Sequence, residues 1–154
     1  MAFFRGDLMV ARALLEHALV CSDIPPPATP TYHSGHNYLR VTHLVWMMQV
    51  LWELGYVDQA RQRSAEALAL AQQLGDPSGL AHAQFFSTML AQYCRDGVTT
   101  YARADAVLAF TTAQGLVHRA AHSRILLGWA LAMQGNAAAG VVHAQQGLEV
   151  FPLP

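Results

Sequence analysis

Residues 40–77 read RVTHLVWMMQVLWELGYVDQARQRSAEALALAQQLGDP, and this stretch predicts two helices joined by a tight turn. Gly55 lies at the turn, where glycine readily adopts the left-handed conformation that ends a helix. Asp58 is the predicted cap of the second helix. Residues 75–77 repeat the arrangement, with a glycine that ends the helix, an aspartate cap and a proline in the first turn of the next helix. Apolar or small residues recur at helical steps, namely Val41, Leu44, Val45, Met48, Leu51 and Trp52 in the first half and Ala60, Ser64, Ala67, Leu68 and Ala71 in the second.

This pattern recurs along the chain with a period of 40 residues. A fixed period in this range is typical of solenoid proteins, because a single helix pair cannot bury its apolar face alone. Arg95 stands where the second repeat would place its turn glycine, and Gly97 is shifted by two positions. Three sets of residues share the register: Gly55 with Gly135, Gly75 with Gly115, and Leu68 with Leu108 and Leu148.

Length and composition describe a folded chain of 154 residues, 53% hydrophobic and 12% charged, with a net charge of -1. All nine basic residues are arginine, and they form no basic stripe of the kind that binds nucleic acid. The apolar runs are shorter than the ~20 residues of a membrane span. Cys21 and Cys94 lie in separate helical patterns, which favours buried thiols in a reducing compartment over a disulfide. We therefore expect a cytoplasmic protein with neither a nucleic-acid nor a membrane partner.

The rest of the chain predicts further helices of the same kind. Residues 7–21, capped by Asp7, predict the second helix of an earlier repeat whose first helix is missing. Residues 22–37 contain four prolines, which oppose a helix, so a loop is predicted there with Asn37 capping the next helix. Neither end has the polar capping helix of a finished solenoid, which predicts a fragment of a larger protein or a chain that depends on a neighbour. The helix-pair repeats are 38–75, 76–115 and 116–151, and the predicted fold is an all-α solenoid of about seven helices in antiparallel pairs.

The third repeat resembles the tetratricopeptide repeat. Leu127 and Gly128, then Leu131 and Gly135, have the intervals of that family's Leu-Gly pair, large residue and turn glycine. The first repeat has Gly55, Ala60 and Ala67 in the matching places. The second repeat departs, with Ser87 and Thr88 in place of the Leu-Gly pair, and the period of 40 exceeds the usual ~34.

Longer stretches resemble the repeat region at the carboxyl end of large bacterial signalling proteins. These stretches are LGYVDQARQRSAEALALAQQLGDP, RADAVLAFTTAQG and LLGWALAMQGNAAAGVVHAQQGL. In such proteins a class III adenylate or guanylate cyclase, or another effector, is joined to an AAA-type ATPase and then to tetratricopeptide-like repeats. Residues 34–37 are similar to a Gly-His-Asp loop of that region. The resemblance implies a parent protein that is an ATPase-linked regulator, whereas the chain itself lacks a Lys-containing phosphate-binding loop.

In tetratricopeptide arrays the first helix of each pair lines a concave surface. Aromatic and methionine side chains with few charges suit an apolar helix or an extended peptide. Packing between neighbouring repeats is an equally good interpretation for each of them, and Phe85 and Tyr93 are the more telling pair. Carried over by spacing, the ligand-facing register gives Thr42, Gln49, Trp52 and Glu53, then His82, Phe85, Met89 and Tyr93, then His122, Ile125, Trp129 and Met133.

The sequence favours a catalytic site or a metal site less than a binding groove. His118 and His122 are four residues apart on a predicted helix, but a zinc site needs three or four ligands. Cys94 and Ser123 have no nucleophile elbow around them. The sequence therefore predicts no enzyme activity, no cofactor and no bound metal, with a helical metal-binding or hydrolytic domain as the third alternative.

The function predicted from the sequence is that of a non-catalytic protein-interaction and regulatory module. Its partner would be a protein, a peptide or a neighbouring domain of the same polypeptide. The alternative is a structural role, in which the apolar surface stacks on another copy of the chain to form a homo-oligomer.

Overall fold

The structure, a computed structural model, describes residues 2–22 and 30–151, with side chains from residue 38 onward in the second range. A 3₁₀ turn at Phe3–Arg5 precedes the α-helices, and the described residues contain no strand. None of the described helices reaches the length and apolarity that a membrane crossing requires. The helices are α1 (Leu8–Cys21), α2 (Pro30–Glu53), α3 (Val57–Leu74), α4 (Pro77–Tyr93), α5 (Gly97–Ala113), α6 (Val117–Met133) and α7 (Ala137–Leu148). The predicted all-α fold of repeated helix pairs is confirmed.

Helix α2 begins earlier than predicted. The prolines predict a loop over residues 22–37, but α2 starts at Pro30, so the end of that loop and the cap at Asn37 are wrong. Pro30 lies at the first helical position, where its missing N–H is no loss, and no further proline follows in the helix. Residues 34–37, which resemble a loop, lie inside α2. Residues 23–29 lie outside the described residues.

The turns between α2 and α7 recur every 20 residues. Each contains one residue in the left-handed conformation, with φ between 58° and 89°. Four of these residues are glycines of the predicted register, and Arg95 itself takes the fifth position at φ 58°. The expected shift of this role to Gly97 is wrong, because Gly97 is already the first residue of α5. The series is Gly55, Gly75, Arg95, Gly115 and Gly135.

Replacing Arg95 by glycine is expected to stabilise the protein by about 1 kcal/mol, because a side chain in the left-handed region costs roughly that much. Urea denaturation followed by circular dichroism measures the change. The mirror variant, Gly55→Arg, places a side chain in the equivalent turn and should lose a similar amount. A loss of stability in Arg95→Gly would show that the arginine side chain compensates for its backbone conformation.

Three helices begin with the side-chain caps that polar residues favour. Asp76, Asp96 and Asn136 accept hydrogen bonds from the backbone N–H three residues later, at 2.6, 2.9 and 3.4 Å. Asp7 occupies the cap position of α1 without a side-chain cap bond. The predicted cap at Asp58 is wrong, because α3 starts at Val57 and Asp58 lies in its first turn.

Acidification is expected to weaken the cap at Asp96. The pKa of this carboxyl is lowered from 3.8 because the side chain and then the backbone N–H of Thr99 hydrogen-bond to it. A pKa lowered in the folded state stabilises the fold above the unfolded pKa, and this contribution is lost as the pH falls through the folded pKa. Asp96→Asn keeps the acceptor, so its melting temperature should fall less on acidification than that of the unchanged chain. Equal losses in both proteins would contradict the assignment.

The helices form two compact units, divided within α4 between Ala83 and Gln84. In the first unit α2 packs against α1 and α3. Helix α3 presents small buried residues, which allow close packing. A cluster of Ala2, Ala11 and Val50, with Phe3, Leu15 and Leu54 against it, joins α1 to α2. The α2 side chains Val41, Val45, Met47, Met48 and Val50 are almost completely buried.

In the second unit α6 packs against α5 and α7. Its core contains Phe85, Ala104, Leu126 and Leu127, with Phe86, Met89, Leu108 and Leu131 packed on them. Several buried hydroxyls bond within their own helices, which removes the cost of an unsatisfied polar group. The hydroxyls of Thr88, Thr100, Thr111 and Ser123 each donate to the carbonyl oxygen four residues earlier.

Helices α6 and α7 approach each other at glycines. A Cβ atom at Gly128 would lie 2.5 Å from the carbonyl oxygen of Gly140, and one at Gly140 would lie 2.5 Å from that of Gly128. At Gly147 a Cβ would lie 2.7 Å from the carbonyl oxygen of Ala121. Since a carbon and an oxygen atom cannot approach this closely without repulsion, only glycine fits at these places. Gly128 belongs to the Leu-Gly pair of the resembled repeat, and its role here is backbone contact.

Candidate protein-binding surface

Four of the predicted groove residues lie on α2 in the first unit. Thr42 is half-buried, and its hydroxyl donates to the carbonyl oxygen of Tyr38 at 2.9 Å. Gln49 is 6% exposed, and its Oε1 accepts no hydrogen bond from the described residues. Trp52 is half-buried and Glu53 is exposed. The side-chain oxygen of Gln49 is therefore buried and unsatisfied, and it is not part of the surface that a partner can reach.

His82 is the fifth predicted residue of the first unit and lies on α4. Its side chain is buried, and its ring centroid lies 5.7 Å from that of Tyr38 on α2. The imidazole therefore contributes to the contact between α2 and α4, and Tyr38 offers the exposed part of the ring pair.

In the second unit, α4 carries Phe85, Met89 and Tyr93 from the predicted set. Phe85 is only 7% exposed and belongs to the core, and Met89 packs on the same core. Tyr93 is half-buried. Of the two interpretations weighed for Phe85, groove and packing, the structure favours packing.

Helix α6 carries the last four predicted residues. His122, Ile125 and Trp129 are half-buried, and Met133 is exposed. Ile125 lies against α7, where its Cγ1 would be 2.7 Å from a Cβ at Gly147. The parts of this set that a partner can reach are the half-exposed ring faces and Met133.

His122 is also part of a larger group of rings and a guanidinium in the second unit. The guanidinium carbon of Arg119 lies 4.9 Å from the ring centroid of Phe85 and 5.9 Å from that of Phe86. The His122 ring lies 5.5 Å from that of Phe85 and 4.7 Å from that of Phe151. We call this group the aromatic–imidazole cluster, and its members are Phe85, Phe86, His118, Arg119, His122 and Phe151.

The protonation of His122 is disfavoured. Burial is the largest cause that lowers its pKa from 6.5, and the charges of Arg119 and His118 act in the same direction. The hydrogen bond from its Nδ1 to the carbonyl oxygen of His118, at 2.7 Å, opposes the shift. His122 therefore presents a neutral ring with Nδ1 occupied, which leaves Nε2 as the acceptor.

Positive charge dominates α6. The helix contains Arg119 and Arg124, together with two histidines, and has no aspartate or glutamate. Arg124 donates to Gln146 of α7 at 2.9 Å, whereas the Arg119 guanidinium stacks on rings. A stacked guanidinium is suited to bind a carboxylate while its flat face packs on apolar atoms.

A metal site at His118 and His122 gains no support. Nδ1 of His122 is bonded to the backbone, and the Phe151 ring lies 5.8 Å from the His118 ring and against that of His122. Across the described residues no group of three or more His, Cys, Asp and Glu side chains comes together.

Two of the cavities among the described residues lie away from this cluster. The first, of about 570 Å³, is in the first unit between α1, α2 and α3, with Leu44 and Met47 among its lining residues. The second, of about 290 Å³, is in the second unit between α5, α6 and α7. Neither is lined by any of the twelve predicted groove residues.

Sequence reasoning missed Phe86, Arg119 and Phe151 as members of one cluster. A signal existed for the first two, because Phe86 follows Phe85 and Arg119 lies between two histidines. Phe151 follows the end of α7, so its position depends on how α7 packs on α6. No helical spacing in the sequence links Phe151 to His122.

No protein-family model matches the chain, and no curated protein matches it. Among solved structures it is similar to one described as the crystal structure of BtubC (BKLC) from P. vanneervenii, with a TM-score of 0.76 and 17% identity. The likeness is one of fold. It covers 94% of this chain, and this chain spans 57% of the BtubC chain. The similarity to BtubC supports the all-α helical fold.

Proposed function

We propose that this chain is a non-catalytic protein-interaction module that binds a peptide segment on the surface of α6 in the second unit. The observation that supports this proposal is the aromatic–imidazole cluster, in which the Arg119 guanidinium stacks on the buried ring of Phe85 and the half-buried ring of Phe86. The half-buried rings of His122 and Phe151 complete the cluster. Trp, Tyr and Arg are the residues on which protein interfaces most often depend. Trp129 and Met133 extend the same helix toward its end with further apolar surface.

The partner segment suited to this surface is apolar with at least one acidic residue. Rings and Met133 bind apolar side chains through buried area. Arg119 attracts a carboxylate, and α6 has no acidic residue that would repel it. A neighbouring domain of the same polypeptide with such a segment would bind in the same way.

In a parent protein of the resembled class, this binding would regulate an ATPase or a nucleotide cyclase. A partner that binds one state of the parent more tightly shifts the equilibrium toward that state. The support for this part is the resemblance of the repeats, together with a helical fold of the kind that such regions have.

Selection from a phage-displayed library of random peptides tests the binding. We expect enrichment of peptides that combine apolar residues with Asp or Glu. In calorimetry with an enriched peptide, Trp129→Ala and Arg119→Ala should each weaken binding at least tenfold, while Arg119→Lys should recover part of the loss. Circular dichroism of each variant checks that the fold is retained.

The matched control is Arg61→Ala on α3, which removes an exposed arginine from the first unit. This control should bind the peptide as the unchanged chain does. The proposal is overturned if no peptide is enriched, or if both α6 variants bind normally. An equal loss in the Arg61→Ala control would point to a general charge effect instead.

A further inference from the structure

Helix α1 has an exposed side that is mostly apolar, with His17 as its polar residue. Met9, Val10, Leu14 and Val20 are each 55–65% exposed, although α1 also packs an apolar side on α2. A contiguous exposed apolar surface of this kind often marks an interaction site. Helix α3 of the same unit exposes Asp58, Gln59, Arg61, Gln62, Gln72 and Gln73 instead.

The spacing of the exposed residues on α1 is that of a helix-pairing seam. Val10, Ala13, His17 and Val20 recur at steps of three, four and three, the spacing at which two helices pack against each other in a coiled coil. Ala13 is small and lets the backbones approach. We call this side of α1, with Met9 and Leu14 at its edges, the α1 seam.

Charge on and around the α1 seam is compatible with a copy of itself. The seam contains no formally charged residue. The charges beside it are paired within the chain, Arg12 with Glu16 at 2.8 Å and Arg5 with Asp7 at 3.7 Å. Two copies related by a two-fold axis would therefore meet without opposing like charges.

The area also suits a second copy. At roughly 100 Å² for each large side chain exposed to this degree, with the smaller residues between them, the seam offers on the order of 500 Å². Two copies that covered the whole seam would bury at most about 1,000 Å², the size at which a specific interface begins. A weak, concentration-dependent dimer is the result expected of an interface this small.

We propose that the chain forms a two-fold dimer through the α1 seam. This dimer uses the first unit, and it stands or falls independently of peptide binding on α6. In the dimer the apolar rows of the two copies of α1 bury one another, and His17, with its contact to Cys21 Sγ at 3.7 Å, is the polar residue that specifies the pairing.

Sedimentation velocity of the 154-residue chain over a concentration series tests this dimer. We expect a monomer–dimer equilibrium, and the double variant Val10→Glu, Val20→Glu should raise the dimer dissociation constant at least tenfold. Both positions are exposed, so circular dichroism and the melting temperature should stay close to those of the unchanged chain.

The matched control is Val141→Glu, Val142→Glu on α7, where both valines are 51–55% exposed. This control should dimerise normally. A chain that stays monomeric at every concentration overturns the proposal, and the exposed side of α1 would then await a different occupant. A dimer that survives the α1 substitutions, or one that only the α7 substitutions abolish, overturns it as well.

Discussion

Replacing Phe85 by alanine is expected to destabilise the second unit by about 3–5 kcal/mol, the usual cost of removing a buried phenylalanine ring. The ring is 7% exposed and packs with Ala104, Leu126 and Leu127, which belong to two other helices. It also lies beneath the Arg119 guanidinium. The deletion therefore opens a cavity and removes the ring on which the guanidinium stacks.

Urea denaturation followed by circular dichroism measures this loss. Phe4→Ala is the control, because Phe4 is 70% exposed, and it should cost less than about 1 kcal/mol. Phe85→Leu keeps most of the volume and should recover most of the stability. A loss below about 1 kcal/mol for Phe85→Ala would mean that the ring is free to serve a partner, as the groove interpretation requires.

The same result bears on the binding experiment. A variant that unfolds the second unit would also lose the peptide, so Phe85→Ala cannot separate binding from folding. Trp129 and Arg119 are both half-buried, unlike Phe85. Variants at these two positions are therefore the ones that report on the surface itself.

The second large effect is expected for Gly128→Ala. The new Cβ atom would lie 2.5 Å from the carbonyl oxygen of Gly140, and a backbone atom cannot rotate away as a side chain does. We expect a loss of about 3 kcal/mol, at the upper end of the cost of over-packing. Alanine is a better helix former than glycine, so helix propensity alone would make Gly128→Ala stabilising. A loss of stability therefore points to the contact between α6 and α7.

Ala109→Gly on α5 is the control for propensity, since Ala109 is exposed and the change should cost about 1 kcal/mol. Gly128→Ala with Gly140→Ala should cost less than the sum of the two, because one separation of α6 from α7 relieves both clashes. A Gly128→Ala variant as stable as the unchanged chain would show that α7 is not held this closely.

Separation of α6 and α7 has a consequence for the proposed binding. Phe151 follows α7 and lies 4.7 Å from His122, so a shift of α7 moves this ring away from the aromatic–imidazole cluster. A Gly128→Ala chain that remains folded at low temperature should therefore bind an enriched peptide more weakly. Packing between two helices and the binding surface are linked in this way.

Much of the secondary structure was predictable because its signals are local. Glycines at a 20-residue interval end the helices, and aspartate or asparagine caps begin three of them. The left-handed turn at Arg95 was not predictable, because arginine has no preference for that backbone conformation. The start of α2 was mispredicted because all four prolines were assigned to a loop. Pro30 is the first residue of the helix, a position at which proline is tolerated.

The candidate site was predictable only in part. Spacing identified one face of the first helix in each predicted pair, and on α6 this face includes His122 and Trp129. Spacing does not separate a ring that packs from a ring that binds, because both occupy the same apolar stripe. Burial decides this, and it placed Phe85 in the core while His122 stayed half-buried.

By itself, the sequence determined that this protein is a chain of helices with turns at regular intervals. Helix period, left-handed turn residues and caps act over four residues or fewer, so they can be read along the chain. The tertiary structure alone decided that Phe151 meets His122, that Arg119 covers Phe85, and that one side of α1 is left exposed. These contacts join residues far apart in the chain, and they depend on which helix faces pack together, which no local pattern encodes.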